Sequence, residues 1–130
     1  MENKKKIFIV DDDSFLLDMY ALKFNQSGYE VTASLGSEQA LEKLRSGFVP
    51  EIMLLDIVMP VMDGFELLEK MKEENLAQQS IRIILSNRGQ QSDVAKGEAL
   101  GASGYIVKAS STPSEVITKV NEIISQKTTK

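Results

Sequence analysis

The sequence contains no cysteine, no histidine and no tryptophan. Without cysteine there is no disulfide framework, no thiol nucleophile and no thiolate-bound zinc. Without histidine there is no imidazole general base, and most transition-metal sites lose their usual ligand. No stretch approaches the ~18 apolar residues of a membrane span. The short run from Ile7 to Val10, which follows the early lysines, is also too brief for the apolar part of a secretory signal. Basic charge is scarce: 15 Lys and Arg against 19 Asp and Glu give a net charge of -4. That balance argues against a nucleic-acid surface, and Lys4-Lys5-Lys6, the one basic run, reads as a solvated chain start. The expectation is a cytoplasmic protein with neither a nucleic acid nor a membrane as partner. Its chemistry must run on Asp, Glu, Ser, Thr, Lys, Arg or Tyr.

What is present suits one compact unit. A chain of 130 residues, 42% of them hydrophobic, can bury roughly two-thirds of its unfolded surface. We expect a single domain over residues 1–130 with its core in about 6–125. Ile7-Phe8-Ile9-Val10 has the β-branched, continuously apolar look of a strand buried on both faces, Ile52-Met53-Leu54-Leu55 is a further apolar strand, and Ile81-Arg82-Ile83-Ile84-Leu85 reads as a fourth. Tyr29-Glu30-Val31-Thr32-Ala33 and Tyr105-Ile106-Val107 are the remaining strand signals.

Helical spacing fills the gaps between these strands. Phe15, Leu16, Met19, Tyr20, Leu22 and Phe24 recur before a stop at Gly28, with Asp13 or Ser14 as cap. Ser37 is a candidate N-cap for Ala40, Leu41 and Leu44, closed by Gly47. Phe65, Leu67, Leu68 and Met71 follow Gly64. Residues 92–100 form a weakly amphipathic helix interrupted by Gly97, expected to pack loosely. Thr112-x-x-Glu115 around Pro113 is a capping box opening the stripe Val116, Ile117, Val120, Ile123 and Ile124, and Gln126 to Lys130 should fray. Strands alternating with helices predict an α/β, doubly wound, five-stranded parallel sheet, whose usual strand order is 2-1-3-4-5.

In such a sheet ligands bind at the carboxyl ends of the strands, where the order reverses. Here those ends carry Asp11 and Asp12, Asp56, Ser86 and Lys108. Three adjacent carboxylates repel one another unless a cation sits among them. With oxygen ligands alone on offer, that cation is Mg²⁺. Such a site can accept a phosphoryl group on a carboxylate oxygen, with the metal and Lys108 neutralising the developing charge and Ser86 binding a phosphoryl oxygen.

The segments Ile9-Val10-Asp11-Asp12-Asp13, Leu54-Leu55-Asp56-Ile57-Val58-Met59-Pro60-Val61-Met62-Asp63-Gly64, Ile84-Leu85-Ser86 and Leu100-Gly101-Ala102-Ser103-Gly104-Tyr105-Ile106-Val107-Lys108 resemble the receiver domains of response regulators, a CheY-like variant of the flavodoxin-like fold. The resemblance implies that Asp56 takes a phosphoryl group from a histidine kinase or phosphotransfer protein. Asp11, Asp12, Asp56 and the Val58 carbonyl would hold Mg²⁺, Lys108 would pair with the acidic cluster, and Ser86 and Tyr105 would switch. The output would be a protein bound on the face of helix four, strand five and helix five. The expected state is a stand-alone monomer, or a dimer once phosphorylated, that catalyses only its own phosphorylation and dephosphorylation.

Two residues depart from the family pattern: Ala109 stands where proline usually follows the lysine, and Asn87 where alanine usually follows the hydroxyl. The first predicts a trans Lys108–Ala109 peptide with Lys108 aimed differently. Val58 and Arg88 fall where the family flanks the approach of hydrolytic water, which Arg88 would further obstruct if it folded over the site. Two other readings stand beside this one. A receiver-like adaptor would bind partners without phosphorylation. A haloacid-dehalogenase-type phosphatase would use Asp11-x-Asp13, but it needs an acidic metal motif beyond Lys108, where no Asp occurs.

Overall fold

The computed structural model describes residues 4–128. Its strands are β1 (Lys6–Asp11), β2 (Glu30–Leu35), β3 (Ile52–Leu55), β4 (Ile81–Ser86) and β5 (Ala102–Val107). The helices between and after them are α1 (Ser14–Gln26), α2 (Ser37–Arg45), α3 (Gly64–Glu73), α4 (Gln91–Ala99) and α5 (Pro113–Thr128). All strand pairs are parallel, in the order β2-β1-β3-β4-β5. The sheet is therefore open and doubly wound, and its order reverses between β1 and β3.

The two-residue period of a strand divides the core between the sheet's faces. Phe8, Val10, Met53, Leu55 and Ile84 pack with α2 and α3 on one side. Ile7, Ile9, Leu54, Ile83, Leu85 and Ile106 pack with α1 and α5 on the other. Because both faces are covered, β1 and β3 are buried almost throughout, which explains their unbroken apolar sequences.

Asp13 caps α1 by accepting the amide hydrogens of Phe15 and Leu16 at 3.0 and 3.1 Å. The apolar pattern of this helix overstates its buried face: Leu17, Tyr20 and Phe24 are buried, whereas Phe15 is 86% exposed and Leu22 58%. At 100° per residue Phe15 and Leu22 fall on the side away from the sheet. Ser37 is not an N-cap. Gly36 occupies that position without a side-chain cap, and the Ser37 hydroxyl points inward to Met59 Sδ at 3.5 Å. The capping box that opens α3 was not anticipated: Asp63 accepts the Glu66 amide at 2.8 Å while Glu66 accepts the Asp63 amide at 2.9 Å.

The second half of the chain holds two further corrections. β5 begins at Ala102 and passes through Gly104, three residues before the expected Tyr105. Only Asp93 and Gly97 of α4 are buried. A β-carbon at Gly97 would lie 2.6 Å from Ile84 Cδ1, so α4 and β4 approach closely at this point. The Thr112–Glu115 capping box forms as expected, but the helix it opens continues to Thr128 instead of fraying at Gln126. Residues 129–130 lie outside the described residues. Among the described residues no helix is long and apolar enough to cross a membrane.

Candidate functional site at the carboxyl edge of the sheet

Strand register brings the polar strand ends together. Val10 pairs with Leu55, so Asp11 and Asp56 are the next residues on adjacent strands, and the Asp56 amide donates to the Val10 carbonyl at 3.0 Å. On the other side Ser86 pairs with Val107, which places Lys108 one step further at the same edge. Carboxylate oxygens of Asp11, Asp12 and Asp56 lie within 4.8 Å of one another, with Asp11 and Asp56 buried and Asp12 exposed. Lys108 Nζ donates to Asp11 Oδ2 at 2.7 Å and to Asp56 Oδ2 at 2.8 Å. The Lys108–Ala109 peptide is trans, as expected. The expected re-aiming of Lys108 does not follow, because the turn of helix Lys108–Ser110 still delivers the ammonium to the cluster.

The Asp56 carboxylate is held at both oxygens: Oδ1 accepts the Ile57 amide at 2.7 Å and the Val58 amide at 3.3 Å, and Oδ2 accepts from Lys108. Asp11 Oδ1 accepts the Asp13 amide at 3.0 Å. Burial pushes the Asp11 carboxyl above its ordinary pKa, and its bond to Lys108 opposes this without cancelling it. Burial alone would lower Lys108, but the hydrogen bonds it donates to two carboxylates carry its ammonium above the ordinary range. One ammonium thus faces three carboxylates. The donor set is all oxygen, negatively charged overall and open on the Asp12 side, which fits a hard divalent cation.

Backbone clearance shapes the loop beside Asp56. A β-carbon on Gly64 would collide with the Asp56 carbonyl oxygen and lie 2.8 Å from Ile57 Cα, so the loop can fold back only with glycine there. The Gly64 amide donates to the Ile57 carbonyl at 2.8 Å, closing it. Val61 sits in this loop at φ 70°, left-handed for a β-branched residue, and is almost fully exposed. Val58 is also exposed at the rim.

Ser86 is fully buried, and its Oγ accepts the Arg88 amide at 3.2 Å. The half-buried Tyr105 donates its hydroxyl to the Arg88 carbonyl; burial raises the pKa of this phenol, and nearby Asp93 adds to the rise. The Arg88 side chain does not fold over the site but pairs with Asp93 Oδ1 at 2.8 Å. Asp93 is buried on α4 and was not singled out from sequence. An isolated acid in a weakly patterned helix carries no signal until a partner five residues earlier is seen to reach it.

A family model for the response regulator receiver domain matches residues 7–121. The response regulator SaeR of Staphylococcus epidermidis is 33% identical over 120 residues, which cover 92% of this chain and 50% of that protein. The chain thus spans about half the length of the curated relatives it matches. A CheY-like receiver domain protein from Methanospirillum hungatei has a TM-score of 0.83 at 29% identity, covering 96% of this chain and 98% of its own. The chemotaxis protein CheY4 of Vibrio cholerae has a TM-score of 0.84 at 24% identity, covering 93% and 99%, a likeness of fold. The match runs from β1 into α5 and takes in the whole acidic edge, so the chain belongs to the response regulator receiver domain family of two-component systems.

Proposed function

We propose that the chain is one receiver domain working as a phosphorylatable switch, with Asp56 as acceptor. The observation that supports this most is the single buried ammonium of Lys108 shared between Asp11 and Asp56 beside Asp12. In the transfer, an Asp56 carboxylate oxygen forms a bond to phosphorus. The phosphorus–nitrogen bond of a kinase's or phosphotransfer protein's phosphohistidine breaks, and the imidazole nitrogen keeps the electron pair. Asp11, Asp12, Asp56 and the Val58 carbonyl would hold Mg²⁺, which when bound would supply positive charge to the phosphoryl oxygens. Lys108 moves its hydrogen bond from the Asp56 carboxylate to the new phosphoryl group, which keeps a charge-assisted partner on both sides of the reaction.

Ser86 turns its hydroxyl from the Arg88 amide to the phosphoryl group, and Tyr105 follows inward. The surface of α4, β5 and α5 then changes for a downstream protein. The chain is a cytoplasmic monomer, or a dimer once phosphorylated, whose only catalysis is its own phosphorylation and dephosphorylation. Intact-mass measurement after acetyl phosphate treatment tests the reading. One phosphoryl group should be added with Mg²⁺, and none with EDTA or in Asp56→Asn. A label retained in that variant and mapped to Asp11 or Asp13 would restore the phosphatase reading, and an unlabelled wild type would favour the adaptor.

A further inference from the structure

At the opposite edge of the sheet, beneath β4 and β5, Arg82 is buried to 9% exposure, yet no carboxylate among the described residues pairs with it. Its Nη2 donates to the carbonyls of Leu76 and Ala77 at 3.1 and 2.8 Å. These sit in a turn where Asn75 and Ala77 adopt left-handed φ values of 57° and 46°. Its Nε is buried without a hydrogen-bond partner. The third nitrogen, Nη1, faces Gly101, where a β-carbon would stand 3.4 Å away and where φ is 100°. Burial lowers the pKa of the guanidinium, as expected for a cation with no anion beside it. Buried charges are ordinarily paired, because the interior repays desolvation only through a partner.

Two adjoining concavities of about 430 and 570 Å³ share Arg82 and Gln78. Lys72 lines one, and Gln79, Ser103 and Lys127 line the other; neither has an Asp or Glu in its wall. In a chain of net charge -4 this is a local concentration of three cations with amide and hydroxyl donors. We propose that this edge is a binding site for a small polyanion, an organic phosphate or a polycarboxylate, anchored on the Arg82 guanidinium and flanked by Lys72 and Lys127. With Nη2 engaged by the two carbonyls and Nε buried, Nη1 is the guanidinium nitrogen left to donate to an oxyanion, and the two exposed lysines add field without fixed geometry. The site lies across the sheet from Asp56, so an occupant competes neither with metal nor with phosphoryl transfer.

Titration of the chain, followed by backbone amide NMR at constant ionic strength, tests the proposal with inorganic phosphate, pyrophosphate and citrate as probes. Saturable shifts should appear in residues 78–80 and 101–103, with pyrophosphate or citrate binding at least tenfold tighter than phosphate. Preference for pyrophosphate marks the ligand as an organic phosphate, and preference for citrate as a polycarboxylate. Arg82→Met keeps the aliphatic bulk and should weaken binding at least tenfold. Lys127→Glu, on the surface, should weaken it several-fold without altering the fold, and it carries the test if Arg82→Met does not fold. The proposal is overturned by shifts that never saturate, by shifts confined to the acidic edge, or by unchanged binding in Lys127→Glu. Unchanged binding in a folded Arg82→Met overturns it too, since the guanidinium would then serve only the two carbonyls.

Discussion

Replacing Lys108 with methionine keeps the packed aliphatic stem and removes the one charge that two buried carboxylates share. With Nζ at 2.7 and 2.8 Å from its partners, each contact is worth about 6 kcal/mol of gross attraction at an effective dielectric of 20. Most of this is offset by the desolvation of three ions. What remains visible on truncation is the cost of leaving buried charge uncompensated, about 3–5 kcal/mol. Against a total stability of roughly 5–15 kcal/mol for a domain, Lys108→Met should be marginal when metal is chelated. Saturating Mg²⁺ should return a large part of the loss, because a bound cation stabilises the native state by linkage and here does some of the ammonium's work.

Asp56→Asn should go the other way. It gives up one attraction of about 6 kcal/mol but relieves two repulsions of at least ~3.5 kcal/mol each, the oxygens lying within 4.8 Å of one another, and spares the desolvation of a carboxylate. A gain of about 1 kcal/mol in EDTA follows, lost or reversed in Mg²⁺. Urea unfolding by circular dichroism, with EDTA and across a Mg²⁺ series, measures both variants. A loss in Lys108→Met that is equal with and without metal would refute the reasoning, since it would make the lysine a packing residue. A clear destabilisation of Asp56→Asn in EDTA would equally refute the claim that the acidic edge is in electrostatic conflict.

The remaining expectations concern the frame around the site. Gly64→Ala should cost about 3 kcal/mol in chemical denaturation, because its β-carbon meets backbone that cannot yield, whereas Gly104→Ala meets only the Ile123 side chain, which can shift, and should cost clearly less. Equal costs would show that the loop after β3 is slack. Glu115 is held below its ordinary pKa by the Thr112 amide and hydroxyl. A depressed carboxyl contributes stability above its unfolded pKa and loses it as pH falls through the folded value. Glu115→Gln should therefore flatten part of the stability change below about pH 4.5, and an unchanged acid limb would remove the capping box as a contributor. Asp93→Asn should speed amide exchange in α4 selectively, because the Arg88 pair and Gly97 are the main ties of a helix with few buried residues. Exchange that stays uniform across the helices would mean α4 is held by something else.

Sequence alone determined the architecture and the composition of the acidic edge, for reasons visible in single residues. Strands covered on both faces must be apolar throughout, so β1, β3 and β4 announced themselves, and the residues that end them are necessarily at one edge of a parallel sheet. Local capping chemistry also reads through, as Asp13 and the Thr112–Glu115 box show. Only tertiary structure decided where side chains turn. Lys108 reaches two carboxylates without proline behind it, and Arg88 leaves the site for Asp93. Gly97 serves close approach where its propensity suggested weakness, and Arg82, an apparent interruption in an apolar strand, is buried against two carbonyls with no acid beside it. Each of these depends on which atoms lie across a few ångströms from residues distant in the chain, and neither periodicity nor propensity carries that information.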